Sequence, residues 1–337
     1  MLSVGVVGLG YWGPNLARNI NASAVTRLAA LCDTNQERLA SVGDLYPAAT
    51  RFCNAMDLVA DPDVEAVVVA TPTSSHYELA AAALTAGKHV LLEKPMTRTS
   101  AEAENLIRLA SSSGLTLMVD HIFMYSPAVT AMAELCRAGE LGNILFVDSV
   151  RINLGQFQDD ADVLWDLAPH DLSIIDHLLQ RSPVGVIAVG ASHGGHRHAD
   201  VAHVYLDYGD DLVASLHLNW LSPVKIRHFI IGGSRKSVVY NDLDQSEPVK
   251  VYDRGIDFTS DPEGRRRVLA AYRSGDVVSP SVDRVEALQN AIAHFADCVR
   301  TGQEPMSGGE QGLRLLRILE RATESMQRNG GYVRFQP

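Results

Sequence analysis

Three short stretches hold residues whose types and spacing suit chemistry: "GLGYWG" at 8–13, "EKP" at 93–95 and "WDLAPHD" at 165–171. The first sets Gly8, Gly10 and Gly13 in G-x-G-x-x-G spacing, after an apolar run and before a helical pattern. That order suits a dinucleotide. Gly8 permits a tight turn, Gly10 lets a pyrophosphate approach the backbone, Gly13 lets the helix pack on the strand, and the helix N-terminus offers N–H donors. Asp33 ends the next apolar run, where a carboxylate can bond the ribose hydroxyls of NAD and repel the extra phosphate of NADP. Thr34 and Asn35 follow it, with no arginine directly after, so the expectation is NAD over NADP. A helix-capping role for Asp33 is compatible with this.

Glu93 and Lys94 stand where the buried run "HVLL" stops. A lysine just beyond a core strand can donate to a substrate hydroxyl or carbonyl oxygen and take part in proton transfer. Glu93 would orient or neutralise it, and Pro95 is a candidate for a cis bond that turns Lys94 inward. The competing explanation is a surface ion pair of little energetic worth. In the third stretch, Asp166 and His170 are four residues apart and share one helix face, with Asp171 on another. His170 is suited to accept a proton near neutral pH, and Asp166 to bind substrate or hold the imidazole. An ordinary Asp-rich first helical turn would look similar.

The elements that must position these residues fall into two textures. Through about residue 120, apolar runs alternate with helical patterns, the mark of βαβ units on a parallel sheet. Strands are expected at 3–8, 27–33, 64–71, 89–93 and 115–120, with helices from 14, from 34, at 74–87 and at 100–114. Beyond that come helical patterns at 126–142 and 166–180, a long alternating strand at 144–155, and then a row of strands rather than an alternation. This predicts a doubly wound Rossmann domain over 1–121, and over 122–337 an α+β domain on an open, mostly antiparallel sheet. Two closing helices, at 281–302 and 308–328, are candidates to pack back on the first domain.

Composition sets the outer limits. A chain of 337 residues with 46% hydrophobic and 20% charged residues is ordinary globular protein, long enough for two domains. A formal net charge of -11 argues against nucleic acid or an anionic membrane as partner. No apolar run reaches the ~18 residues that span a bilayer. The N-terminus enters a strand pattern directly, without the features of a signal peptide, and four scattered cysteines form no C-x-x-C. A reduced, cytoplasmic protein is expected.

The combination of "GLGYWG", "EKP" and D-x-x-x-H at a helix start in the second domain resembles the Gfo/Idh/MocA oxidoreductases, over nearly the whole chain. The resemblance implies Lys94 as the lysine on the substrate hydroxyl and Asp166 with His170 as the acid/base pair. It adds Tyr11, Trp12, Thr71, Pro72, His76 and Glu93 to the cofactor set. It further implies a homodimer or homotetramer formed through the C-terminal sheet. "HIFMYSPAV", "RINLGQFQ", "LWDLAPHDLSI" and "NWLSPVKIR" are similar to the nucleotide-sugar 3-dehydrogenase subgroup. On that likeness Arg151, Asn153 and Gln156 would line a sugar pocket, and Lys225 and Arg227 would meet a phosphate; Tyr125, a candidate substrate contact, and Trp220 are each open between pocket wall and core. The activity implied is NAD-dependent oxidation of a ring hydroxyl, at C3, of a sugar carrying a nucleotide. The alternatives are an NADPH-linked sugar 3-ketoreductase, a redox-neutral enzyme that regenerates its NAD, and a non-catalytic NAD(H) sensor.

Two further signals point to no site. His193, His196, His198 and His203 cluster in one segment, but with no cysteine nearby they are expected to be a polar loop rather than a metal centre. Arg265, Arg266 and Arg267 are expected in a solvated loop.

Overall fold

The structure, a computed structural model, describes residues 1–155, 161–193, 195, 197–256 and 272–335. The chain divides into two compact units, Met1–Ser126 with Val285–Arg317, and Pro127–Arg284 with Ile318–Pro337.

The first unit carries a sheet of six parallel strands: β1 (Leu2–Val7), β2 (Thr26–Cys32), β3 (Thr50–Phe52), β4 (Ala66–Val69), β5 (His89–Leu92) and β6 (Leu117–Val119). Their order, β3-β2-β1-β4-β5-β6, reverses direction beside β1, which is the doubly wound Rossmann arrangement. Helices α1 (Gly13–Ala22), α2 (Gln36–Gly43), α3 (Ala55–Ala60), α4 (His76–Thr85) and α5 (Ser100–Ser113) connect them. Every residue of β4 is buried, as a strand covered on both faces requires. The side chains of Asn35, Asn54 and Thr99 cap α2, α3 and α5. The unit runs past residue 121 to Ser126 because Met124 and Tyr125 belong to its core. Helix α8 (Ala287–Thr301) completes that core, with Ile292 and Phe295 in one cluster with Leu16 and Ile20.

Six strands are present where five were expected. β3 and α3 escaped notice because a three-residue strand with exposed side chains has no readable periodicity.

The second unit contains α6 (Pro127–Arg137), β7 (Ile144–Leu154) and α7 (Val163–Leu179). Seven longer or paired strands follow: β8 (Gly185–Ala191), β9 (Val201–Asp207), β10 (Val213–Asn219), β11 (Leu221–Gly233), β12 (Ser237–Asn241), β13 (Val249–Tyr252) and β14 (Gly255–Ile256). Short β15 (Tyr272–Arg273), β16 (Val277–Val278) and β17 (Val333–Arg334) complete the described strands. The main sheet has nine strands in the order β16-β13-β12-β11-β7-β10-β9-β8-β17. Its pairings are antiparallel except for β10 with β7. On one face, Ala202, Val204 and Leu206 of β9 and Ala214, Leu216 and Leu218 of β10 are buried. On the other face Tyr205 of β9, Val213 of β10 and Ile187 of β8 are exposed, and His203, Ser215 and His217 are half-buried. The last helix, α9 (Gly309–Gln327), contributes Thr323, which accepts from Trp165 Nε1 at 2.9 Å, and Ser325, whose hydroxyl accepts from Ala188 N–H at 2.8 Å.

Candidate active site

In the first unit the glycine loop has the geometry that its spacing foretold. Gly8 has φ +93°, and a Cβ there would lie 2.6 Å from the Ala70 carbonyl oxygen. A Cβ on Gly13 would run into the Gly8 carbonyl, so the loop-to-helix approach demands glycine at both ends. Gly10 is different: no atom lies within 4 Å of where its Cβ would be. The middle glycine thus faces open space, the cradle a pyrophosphate needs. Tyr11 is 80% exposed and Trp12 half-buried.

Asp33 is buried, and its carboxylate organises the loop. Leu9 N–H donates to Oδ2 at 2.7 Å and Asn35 N–H donates to Oδ1 at 2.8 Å. Arg38, on the first turn of α2, reaches Oδ2 at 3.4 Å. Sequence reasoning missed Arg38 by looking only at the residues directly after Asp33; the first turn of the following helix is the place to search.

Thr71, Pro72 and His76 form the turn after β4. The Ser75 hydroxyl donates to Thr71 Oγ1 at 2.8 Å. His76 is buried, with Nδ1 3.0 Å from the Pro95 carbonyl and Nε2 2.8 Å from the Thr71 carbonyl. Carbonyls only accept, so each contact is a hydrogen bond when that nitrogen carries the proton. His76 therefore ties the turn after β4 to the turn after β5.

At the end of β5, Lys94 N–H donates to Glu93 Oε2 at 3.2 Å, and the Lys94–Pro95 peptide bond is cis. Strand register sets Leu92 beside Val119, so Glu93 and Asp120 emerge side by side from β5 and β6. Burial, and then the neighbouring Asp120, raise the Glu93 carboxyl well above the ordinary range, while Lys94 opposes the shift. Burial raises Asp120 to about 6 against the pull of Glu93 and Lys94. Burial, with the Lys94 charge adding to it, lowers His121 to about 3 and keeps it neutral. Neither Asp120 nor His121 was singled out from the sequence; the only signal was polar residues at the end of an apolar run, one strand over from Lys94. Tyr125, open from the sequence between pocket wall and core, is a core side chain whose hydroxyl lies 2.8 Å from Ser307 Oγ.

In the second unit, the Asp162 side chain accepts from Trp165 N–H at 2.9 Å and so caps α7. Asp166 lies in the first turn, with His170 one turn on. Asp166 Oδ2 accepts from Trp220 Nε1 at 3.3 Å, and Trp220 is 2% exposed. A buried indole thus orients the carboxylate on the face it shares with the half-buried His170. Pro169 lies within the helix and has no N–H to give the Trp165 carbonyl.

Arg151, expected in the sugar pocket, is buried and bonded to Asp171 through Nε at 2.8 Å and Nη2 at 2.9 Å. Its cross-strand neighbour Arg227 pairs with Asp242 at 2.8 Å, and Asp242 also accepts from the Tyr240 hydroxyl at 2.9 Å. Asn153 is half-buried and Lys225 exposed. Gln156, His196 and Arg265 to Arg267 lie outside the described residues. Among the described residues no group of three or more His, Cys, Asp or Glu could hold a metal ion. His193 instead meets Asp200 at 2.7 Å.

Comparison with known proteins adds to this geometry. The model of the Gfo/Idh/MocA oxidoreductase family, NAD-binding Rossmann fold, matches residues 2–121, and that of its C-terminal alpha/beta domain matches 134–335. UDP-N-acetylglucosamine 3-dehydrogenase of Acidithiobacillus ferrooxidans is 34% identical over 220 residues, 64% of this chain and 66% of that enzyme, just under two thirds of its length. A solved structure of that organism's UDP-N-acetylglucosamine 3-dehydrogenase, GnnA, aligns with TM-score 0.83 at 26% identity, over 97% of this chain and 98% of that one. The scyllo-inositol 2-dehydrogenase (NADP(+)) IolW of Bacillus subtilis is 26% identical over 296 residues, 83% of this chain and 82% of that one.

Proposed function

Because this chain belongs to the Gfo/Idh/MocA family of oxidoreductases, we propose that it oxidises a ring hydroxyl, at C3, of a nucleotide sugar with NAD as the hydride acceptor. The observation that carries the reading is the Asp166–His170 pair on α7, its carboxylate fixed by Trp220. A cofactor-binding module without chemistry has no use for an oriented acid/base pair, which counts against the sensor alternative. The likeness to UDP-N-acetylglucosamine 3-dehydrogenase supports the substrate class and the carbon.

The residues present fit a dinucleotide: open space at Gly10 for the pyrophosphate, and Asp33 beside the loop for the ribose. When bound, NAD supplies the hydride acceptor. The chain's own groups do the rest. Lys94 donates to the hydroxyl oxygen, holds the reacting carbon in register and stabilises charge on that oxygen as the proton leaves. His170 takes the hydroxyl proton, and Asp166 orients the imidazole or the sugar.

The test is NADH absorbance across a panel of UDP- and TDP-sugars, free sugars and inositols, with NAD and then NADP. NADH formation with a nucleotide sugar is the expected result; turnover confined to free polyols would sink the substrate assignment. Arg38 beside Asp33 supports a second reading, in which NADP also binds through its extra phosphate. Arg38→Ala should then weaken NADP about tenfold or more and leave NAD nearly unchanged, read by fluorescence titration. The exposed residues on the C-terminal sheet, Ile187, Tyr205 and Val213 among them, support self-association through that face. Four cysteines outside any disulfide support a reducing, cytoplasmic location. No helix among the described residues is long and apolar enough to cross a membrane.

A further inference from the structure

The ends of β5 and β6 bury more ionisable chemistry than one catalytic lysine requires. Glu93 is 8% exposed, Asp120 4% and His121 2%. The backbone fixes their relation: Asp120 N–H donates to the Leu92 carbonyl at 2.8 Å, so the next residues of the two strands stand together. Register brings the buried carboxyls of Glu93 and Asp120 together at the strand ends. Two ionised carboxylates buried side by side repel, and each only accepts, so such a pair is satisfied by holding one proton between them.

We propose that Asp120 is a positioning residue: with Glu93 it forms a carboxylic acid–carboxylate pair whose single negative charge holds the neighbouring Lys94 side chain in place. The inference rests on the role given to Lys94 above.

The surroundings agree with it. Burial raises both carboxyls above their ordinary range, Asp120 to about 6, and Asp120 adds to the shift on Glu93. Lys94 opposes the shift on both groups, as a cation close to each would. The other titratable groups facing the cluster stay uncharged. His121 is buried neutral, and the Tyr125 hydroxyl is pushed above its ordinary value by burial. With one proton shared, the pair places a single negative charge beside Lys94. Asp120 Oδ1 and both His121 ring nitrogens are buried without a hydrogen-bond partner among the described residues. Native scaffolds seldom leave such atoms unsatisfied, so their presence beside Lys94 marks a working site.

The test has two arms on the full-length, NAD-loaded protein. Infrared difference spectroscopy at neutral pH should show a protonated carboxyl in the wild type that is lost in both Glu93→Gln and Asp120→Asn, where the one remaining carboxyl is ionised. Kinetically, Asp120→Asn leaves Glu93 to carry the charge and should lose less than the double variant. The double variant should lose about 10²-fold in kcat, the scale of a misplaced catalytic group. The acid limb of the kcat–pH profile should move in Asp120→Asn. No protonated carboxyl in the wild type, or a double variant that turns over like wild type, would overturn the proposal. If the double variant does not fold, the infrared band and the single-variant pH profiles decide. A wild type that oxidises no sugar would refute the functional reading instead, while the infrared arm still answers for the pair.

Discussion

Arg151 with Asp171, and Lys94 with Glu93 and Asp120, are both sets of ionisable groups withdrawn from water, yet their hydrogen bonds are settled in different ways. Arg151 and Asp171 meet through two parallel N–H···O bonds of 2.8 and 2.9 Å, the bidentate geometry that best offsets the cost of burying charge. At the ends of β5 and β6, two carboxyls compete for one lysine, and Asp120 Oδ1 is left without a partner among the described residues. Burial of charge alone therefore does not mark a functional site. A balanced, saturated pair is scaffold. An unbalanced cluster at the carboxyl end of parallel strands, where doubly wound sheets bind ligands, is the candidate site.

Substitution should separate the two. The largest effect is expected for Lys94→Met: kcat should fall by about 10²–10⁴-fold while NAD still binds, as shown by stopped-flow turnover beside a binding titration. Wild-type turnover in this variant would remove the contrast. Arg151→Leu should act on stability instead. It strands the buried Asp171 carboxylate and should cost about 3–5 kcal/mol in urea denaturation. Replacing both Arg151 and Asp171 by leucine should recover most of that loss, because a neutral apolar pair strands no charge. If Arg151→Leu instead kept full stability and lost sugar affinity, Arg151 would belong to the site and the comparison would fail. Trp220→Phe is milder. It removes the N–H held by Asp166 Oδ2 and should lower kcat several-fold, about 1 kcal/mol, with NAD affinity unchanged.

The sequence made the chemistry-bearing motifs legible where one local pattern encodes one requirement. Gly8 and Gly13 are demanded by backbone approach, and Asp166 and His170 share a face because four residues is about one helical turn. The alternation of the first half and the row of strands in the second followed from periodicity alone. What stayed hidden depends on register. Glu93 and Asp120 are 27 residues apart and become neighbours only when Leu92 aligns with Val119. Arg151 and Asp171 meet only because an alternating strand and a helix present one residue each to the same buried layer, and neither pattern names its partner. The family likeness assigned Arg151 to the sugar pocket, and no local pattern in the strand showed its buried partner Asp171.

The last contrast concerns the sign of an effect. Asp120 has its folded pKa raised, to about 6, above an ordinary carboxylate value of about 3.9. The native state then holds a proton that the unfolded chain has already released, so stability falls as pH rises through that interval. The cost is absent below about pH 4 and fully present above about pH 6. Asparagine keeps the shape of the neutral acid without the charge. Asp120→Asn should therefore be more stable than wild type at neutral pH, by on the order of 1 kcal/mol, and the gain should vanish toward pH 4. Urea denaturation at the two pH values measures this directly. Stabilisation on removal of a charged group is what a site kept for function predicts, since activity there is maintained against the interest of the fold. If Asp120→Asn is destabilised at neutral pH, Asp120 behaves as Asp171 does, and the difference between the two clusters lies in geometry and not in purpose.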